Sequence, residues 1–265
     1  MISMLRDAFA YRGFILSSVR NDIITRFSRS RLGAIWTIIH PLSQVLIYTL
    51  VLSNVLSARM PGISGQYDYA LYLLAGFLPW ALFSELLLRC MTVFIEFGPL
   101  MKKTVIPKIC LPIIVFLGAL WNNAILLVLT LVAYLIFGNG FSLQGIAMLA
   151  VLTVTTGTFA LGLGLLLGIF NVFFRDLGQA VPVVLQLLFW LTPIVYSVSI
   201  IPAEYHWFIA LNPLAHLVEA YHDTLLFRTM PDWTGLTVLF MAGLALLGLS
   251  LVLLRRANVD MMDAL

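Results

Sequence analysis

Six stretches, at 34–56, 69–88, 109–137, 146–170, 180–198 and 234–254, are apolar almost without interruption. A helix needs about 20 such residues to cross the ~30 Å hydrocarbon layer of a bilayer, so each stretch predicts a span. Composition agrees. The 265 residues are 62% hydrophobic and 10% charged, with mean hydropathy +1.03, where a soluble domain carries roughly 25% charge. A chain of this size must cover its outside with something its solvent accepts, and here that solvent is lipid. No internal repeat or linker divides the sequence, which reads as one all-α integral membrane domain over residues 1–265.

Basic residues orient it. With a cytoplasmic N-terminus, one side receives thirteen of them (Arg6, Arg12, Arg20, Arg26, Arg29, Arg31, Arg89, Lys102, Lys103, Lys108, Arg175, Arg255, Arg256) and the other receives Arg59 and Arg228. Both termini are therefore expected in the cytoplasm. The same residues sit beside apolar segments and not on a polar face, which argues against nucleic acid as a partner. Residues 2–16 place Ile2, Leu5, Phe9 and Leu16 on one face, a pattern suited to a helix lying in the membrane interface. Arg6, Asp7 and Arg12 interrupt any signal-peptide core.

The interval 199–233 is too long and too apolar for an ordinary connection. Asn212 and Pro213 make a good helix start, as N-cap and first helical residue. The following "PLAHLVEAYHDTLLF" has helical spacing. Short re-entrant helices between the last two spans are expected, bordering a pathway, because non-helical backbone at that depth must be protein-covered or line a wet cavity.

Chemistry within the spans is sparse. Glu85 is the one acidic residue plainly inside a span, with Arg89 four positions on as a partner. That is thin equipment for a proton-coupled carrier, which remains the alternative from another class. No G-x-x-x-x-G-K-[ST] occurs, and "ALGLGLLLGIF" fails G-x-G-x-x-G at Leu167. Gly164 and Gly168 instead form a small-xxx-small pair for close helix packing. His216, His222 and Asp223 lack metal-ligand spacing, and Cys90 and Cys110 show neither metal spacing nor a disulfide framework. No catalytic or metal residue is assigned, although a membrane enzyme using the 206–223 region stays open. Many aromatics fit the interfacial belt. Trp80 and Trp190 fall inside spans, where that logic fails, and with Tyr48 and Tyr196 they are candidates to line a glycan channel. A six-span protein without a motor is either a passive conduit or the membrane half of a machine powered by another subunit.

"RNDIITRFSRSRLGAIWTIIHP" resembles the start of the permease subunit of polysaccharide-exporting ABC transporters of the ABC-2 type. "PLMKKTVIPKICLP", "NVFFRDLGQ", "LFWLTPIVYS" and "LNPLAHLVEAYHDTLLF" continue the resemblance in order. It implies a single ABC-2-type domain, with an interface helix and gate segment at 1–33, a six-span bundle at 34–254 and a cytoplasmic tail at 255–265. It also implies a homodimer with two copies of a separate ATPase that binds ATP and Mg, with no cofactor in this chain. The cargo implied is a glycan on undecaprenyl diphosphate, moved across the bacterial inner membrane: O-antigen in the first reading, capsule or teichoic acid in the alternative. Arg20, Arg26, Arg29, Arg31 and Gly33 match the gate segment. Guanidinium pairs well with lipid diphosphate, while simple anchoring to anionic headgroups remains the other reading of these arginines. Pro99, Lys102 and Lys103 match the region that couples to the ATPase, as do Arg175 and Asp176.

Overall fold

The computed structural model describes residues 9–28, 67–103, 106–138 and 142–257, with isolated positions between 35 and 47 and at 140, 261 and 264. Most of the first predicted span lies outside the described residues, as do Arg29, Arg31, Gly33 and Tyr48.

The described chain is helical throughout its regular parts. Helix α1 (Arg12–Ser28) precedes α2 (Asp68–Glu96), the short α3 (Gly98–Lys103), α4 (Cys110–Phe137), α5 (Leu143–Phe173) and α6 (Leu177–Leu191). Two 3₁₀ turns follow, then α7 (His206–Ala210), α8 (Pro213–His222), a π-helical turn (Asp223–Phe227) and α9 (Trp233–Arg256). Four of these, α2, α4, α5 and α9, are long and apolar enough to span a bilayer. α2, α5 and α9 run towards one end and α4 runs back, with α6 returning the chain between α5 and α9, so one end of the bundle gathers Arg89, Lys102, Lys103, Arg175, Arg255 and Arg256, and is called the basic end below.

The interface helix and the gate segment are one element as far as Ser28, since α1 runs through both. Its buried contact is Ile15, 5% exposed against Ile109, Cys110 and Ile114, while Phe9 and Leu16 stay outside. Of the apolar face expected from 2–16, Phe9 and Leu16 are turned outward, where a lipid interface accepts them, and Ile2 and Leu5 lie outside the described residues.

Helix α5 is the centre. Residues two apart on a helix point about 200° apart, so Gly162 and Gly164 serve different neighbours. A Cβ at Gly164 would lie 3.0 Å from Leu87 Cα, and one at Gly168 would collide with the Cys90 carbonyl, so α2 and α5 touch backbone to backbone. On the other flank, a Cβ at Gly162 would lie 2.8 Å from the Gly243 carbonyl of α9. Ser250 Oγ closes this second seam by donating to Gly162 O at 2.9 Å. Threonine hydroxyls of α5 return to their own helix, as Thr156 Oγ1 does to Leu152 O at 2.8 Å; in lipid an unpaired hydroxyl is costly.

The fifth predicted stretch, 180–198, forms a helix of only 15 residues that ends at Leu191. At 1.5 Å per residue it is roughly 22 Å long, short of a full crossing. Pro193 is the physical reason. It lacks a donor and disfavours helical backbone before it, and Thr192 is extended (φ −97°, ψ 136°). Hydropathy alone runs on through Ile194, Val195 and Val198 without registering that stop.

Candidate functional site

Two polar sites sit at opposite ends of the bundle. At the basic end, Arg89 near the end of α2 donates from Nη2 to Asp22 Oδ2 on α1 at 2.6 Å and from Nη1 to Glu85 Oε1 at 3.3 Å. Asn122 of α4 donates to the same Glu85 oxygen at 2.6 Å. A Cβ at Gly118 would lie 2.9 Å from Arg89 Nη1, so that glycine leaves room for the guanidinium. Arg89 and Asp22 border a cavity of about 460 Å³ beside α1, lined also by Ser18, Asn21, Thr25 and Glu96. The i,i+4 pairing of Glu85 with Arg89 is legible in sequence. Asp22, Asn122 and Gly118 join from far along the chain, and no local signal marks them.

Arg20 is exposed on α1, and Arg26 lies in the same helix with its side chain outside the description. Pro99, Lys102 and Lys103 are exposed on α3, which is seated by buried Gly98 and Met101. Arg175 and Asp176 form the exposed turn between α5 and α6. The basic end thus presents two separate exposed segments, one on α3 and one between α5 and α6. Burial pushes the Lys108 ammonium, in the connection before α4, below its ordinary range. Asn171, one helical turn before Arg175, donates to Met91 O of α2 at 3.1 Å and ties this end of α5 to α2.

At the opposite end, the irregular segment after α6 is fixed by tyrosines of α2. Tyr69 Oη donates to Val195 O at 2.9 Å and Tyr72 Oη to Tyr196 O at 2.7 Å. Asn212 caps α8 as expected: its Oδ1 accepts from Leu214 N at 3.0 Å, while its Nδ2 donates to Thr192 Oγ1 at 2.8 Å. The ring of His222, at the end of α8, stacks on Tyr72 with centroids 3.8 Å apart, and Nε2 donates to Tyr72 O at 3.0 Å. Asp232 caps α9, and the N–H groups of Thr234 and Gly235 hold its carboxyl below the usual range.

Of the proposed channel aromatics, Trp80 is 9% exposed and meets Phe189 edge-on at 5.4 Å. Trp190 is 51% exposed on the other side of Phe189, at 5.5 Å, and its carbonyl accepts from Tyr196 Oη at 3.0 Å. The three rings form a continuous chain from core to surface. Among the described residues no group of three or more His, Cys, Asp or Glu side chains could hold a metal.

Long apolar helices locked by glycine, with polar groups gathered at the two ends, define a multi-pass membrane protein with an all-helical bundle. The ABC-2 type transporter family matches residues 14–226, and the chain belongs to that family. An O-antigen export system permease protein RfbA of Myxococcus xanthus is 30% identical over 249 residues, 93% of each chain. One from Klebsiella pneumoniae is 26% identical over 232 residues, 87% of each. The polysialic acid transport protein KpsM of Escherichia coli is 25% identical over 250 residues, 92% of this chain and 93% of that one.

Proposed function

We propose that this chain is the membrane-spanning subunit of an ATP-driven exporter of lipid-linked polysaccharide, O-antigen in the first instance. The observation that carries the reading is near-full-length likeness to O-antigen export permeases, 30% identical over 93% of the chain in one case. Two copies pair with two copies of a separate ATPase, which supplies the ATP and Mg chemistry; this chain acts as transporter and not as enzyme. Each copy contributes six spans, with 34–56 as the first and α6 as the short fifth. α7 and α8 re-enter the membrane from the periplasmic side. Both termini and the basic end face the cytoplasm of the bacterial inner membrane.

Undecaprenyl diphosphate reaches the basic end beside α1, drawn by Arg20, Arg26, Arg29 and Arg31, with Gly33 giving the turn into the first span. The glycan passes the aromatic face of Trp190 and Tyr196, backed by Trp80, and Tyr48 is a further ring that contacts it. Pro99, Lys102 and Lys103 dock on the ATPase, and Arg175 with Asp176 make a second contact. Likeness to KpsM supports capsular glycan as the second cargo reading.

The test is reconstitution of the permease with the ATPase encoded beside it, in vesicles holding lipid-linked glycan. ATP-dependent translocation is expected; movement at full rate without ATP sinks the reading. Replacing Arg26, Arg29 and Arg31 together by lysine keeps the charge and removes bidentate pairing. Export should then fall sharply while membrane insertion is unchanged.

A further inference from the structure

At the end opposite the basic one, a cavity of about 290 Å³ opens between α2, the segment after α6 and α8, lined by Tyr72, Ser197, Glu219, His222, Asp223 and Phe227 among others. Its chemistry is one-sided. His222 is 4% exposed, and its Nε2 faces the Tyr72 carbonyl at 3.0 Å. A carbonyl only accepts, so Nε2 carries the proton, and the neutral ring presents Nδ1 as a lone-pair acceptor. That nitrogen has no hydrogen-bond partner among the described residues. Half-buried Glu219 makes no hydrogen bond or ion pair among them either. Asp223 adds a second carboxylate, and among the described residues no lysine or arginine lines the space. These acceptors open on the cavity with no protein donor facing them among the described residues, so the wall suits a ligand that brings donors.

Two kinds of ligand bring donors or positive charge: a cation and a polyhydroxylated ring. The acidic and imidazole groups do not converge as a metal-ligand set. The volume is at the small end of ligand pockets, suited to one ring and not to an extended chain. Phe227, 45% exposed, offers an apolar face on which the C–H side of a sugar can lie. The Tyr196 carbonyl that accepts from Tyr72 links this wall directly to the Trp190–Tyr196 face. We propose that this cavity is a binding subsite for a single sugar residue of the exported glycan, recognised through its hydroxyl groups at the far end of the route. The assignment rests on the export reading above.

The test uses the full permease–ATPase complex in lipid nanodiscs. Its probe is one repeat unit of the cell's own exported glycan, released from its lipid by mild acid. Binding is measured by calorimetry, and ATP-driven export of the intact lipid-linked glycan is measured in the same preparation. Glu219→Gln keeps the side-chain size and should weaken repeat-unit binding about tenfold. Ser197→Trp fills the space and should abolish binding, and both should melt within the range of the unaltered complex. Export with wild-type binding in both variants, or export without any repeat-unit binding by the unaltered complex, overturns the subsite. Calcium alone binding tightly, and lost in Glu219→Gln, overturns it in favour of a cation site. A complex that exports nothing yet binds the repeat unit in a Glu219-dependent way supports the subsite and counts against the export reading.

Discussion

At the basic end Arg89 is held between two carboxylates, in room left by a glycine, whereas at the opposite end Tyr69, Tyr72 and His222 are held by backbone carbonyls. The difference follows from what each end has to secure. The first joins three helices, each regular and internally bonded, so only side chains are left to tie them and charge does the work. The second must cover the carbonyls of a segment that helix geometry has abandoned after Thr192. Neutral donors of fixed length do this without burying charge. One end is a set of mutual attractions between elements, and the other is a lining fitted to irregular backbone.

The largest effect should come from Arg89→Met. It leaves Asp22 and Glu85 partly buried without their cation, at a cost of about 3 kcal/mol. Thermal melting in detergent should show it. Adding Asp22→Asn and Glu85→Gln to that variant should recover a large part of the loss. Additive loss in the triple variant would make the network incidental and erase the contrast between the ends.

Tyr69→Phe comes next, at about 1 kcal/mol, because one buried carbonyl loses its donor while the ring stays. Neighbouring carbonyls keep theirs, so the loss should be local. Hydrogen exchange should rise around 193–196 and not at the basic end. A global rise would show that the two ends are coupled more tightly than their bonding implies.

The smallest effect belongs to Asp232→Ala, which removes the cap of α9 and should lower the melting temperature only slightly. Its folded-state acidity is strengthened by hydrogen bonds from Thr234 and Gly235. The cap's contribution is thus complete above the ordinary carboxylate value and fades as the pH falls through the lower folded value. The difference between Asp232→Ala and the unaltered protein should shrink accordingly on acidification, which a pH series of melts would reveal.

Much of this architecture is written locally. Four long apolar runs become four long helices, Asn212–Pro213 starts a helix as its residue types dictate, and Gly164 with Gly168 meets a neighbouring backbone. Other features depend on contacts that no window of sequence contains. Asp22 reaches Arg89 across 67 positions, and Tyr72 meets His222 across 150. Spacing gives no hint that the ring of His222 lies on a tyrosine. Ile15, and not Leu16, faces the bundle because α4 arrives from one side only, which periodicity cannot say. The stop at Pro193 was present as a residue but outweighed by the hydropathy around it.

Helix α6 carries a further consequence for the lipid. At roughly 22 Å it falls about 8 Å short of the hydrocarbon thickness its longer neighbours match, and Val183, Val184, Leu187 and Leu191 lie on its exposed flank. A bilayer bordering that flank must thin to meet it, or another protein surface must stand in for the missing depth. Where lipid borders that flank, the oily barrier is shallowest beside α6, and a headgroup crossing there has the shortest distance to travel out of water.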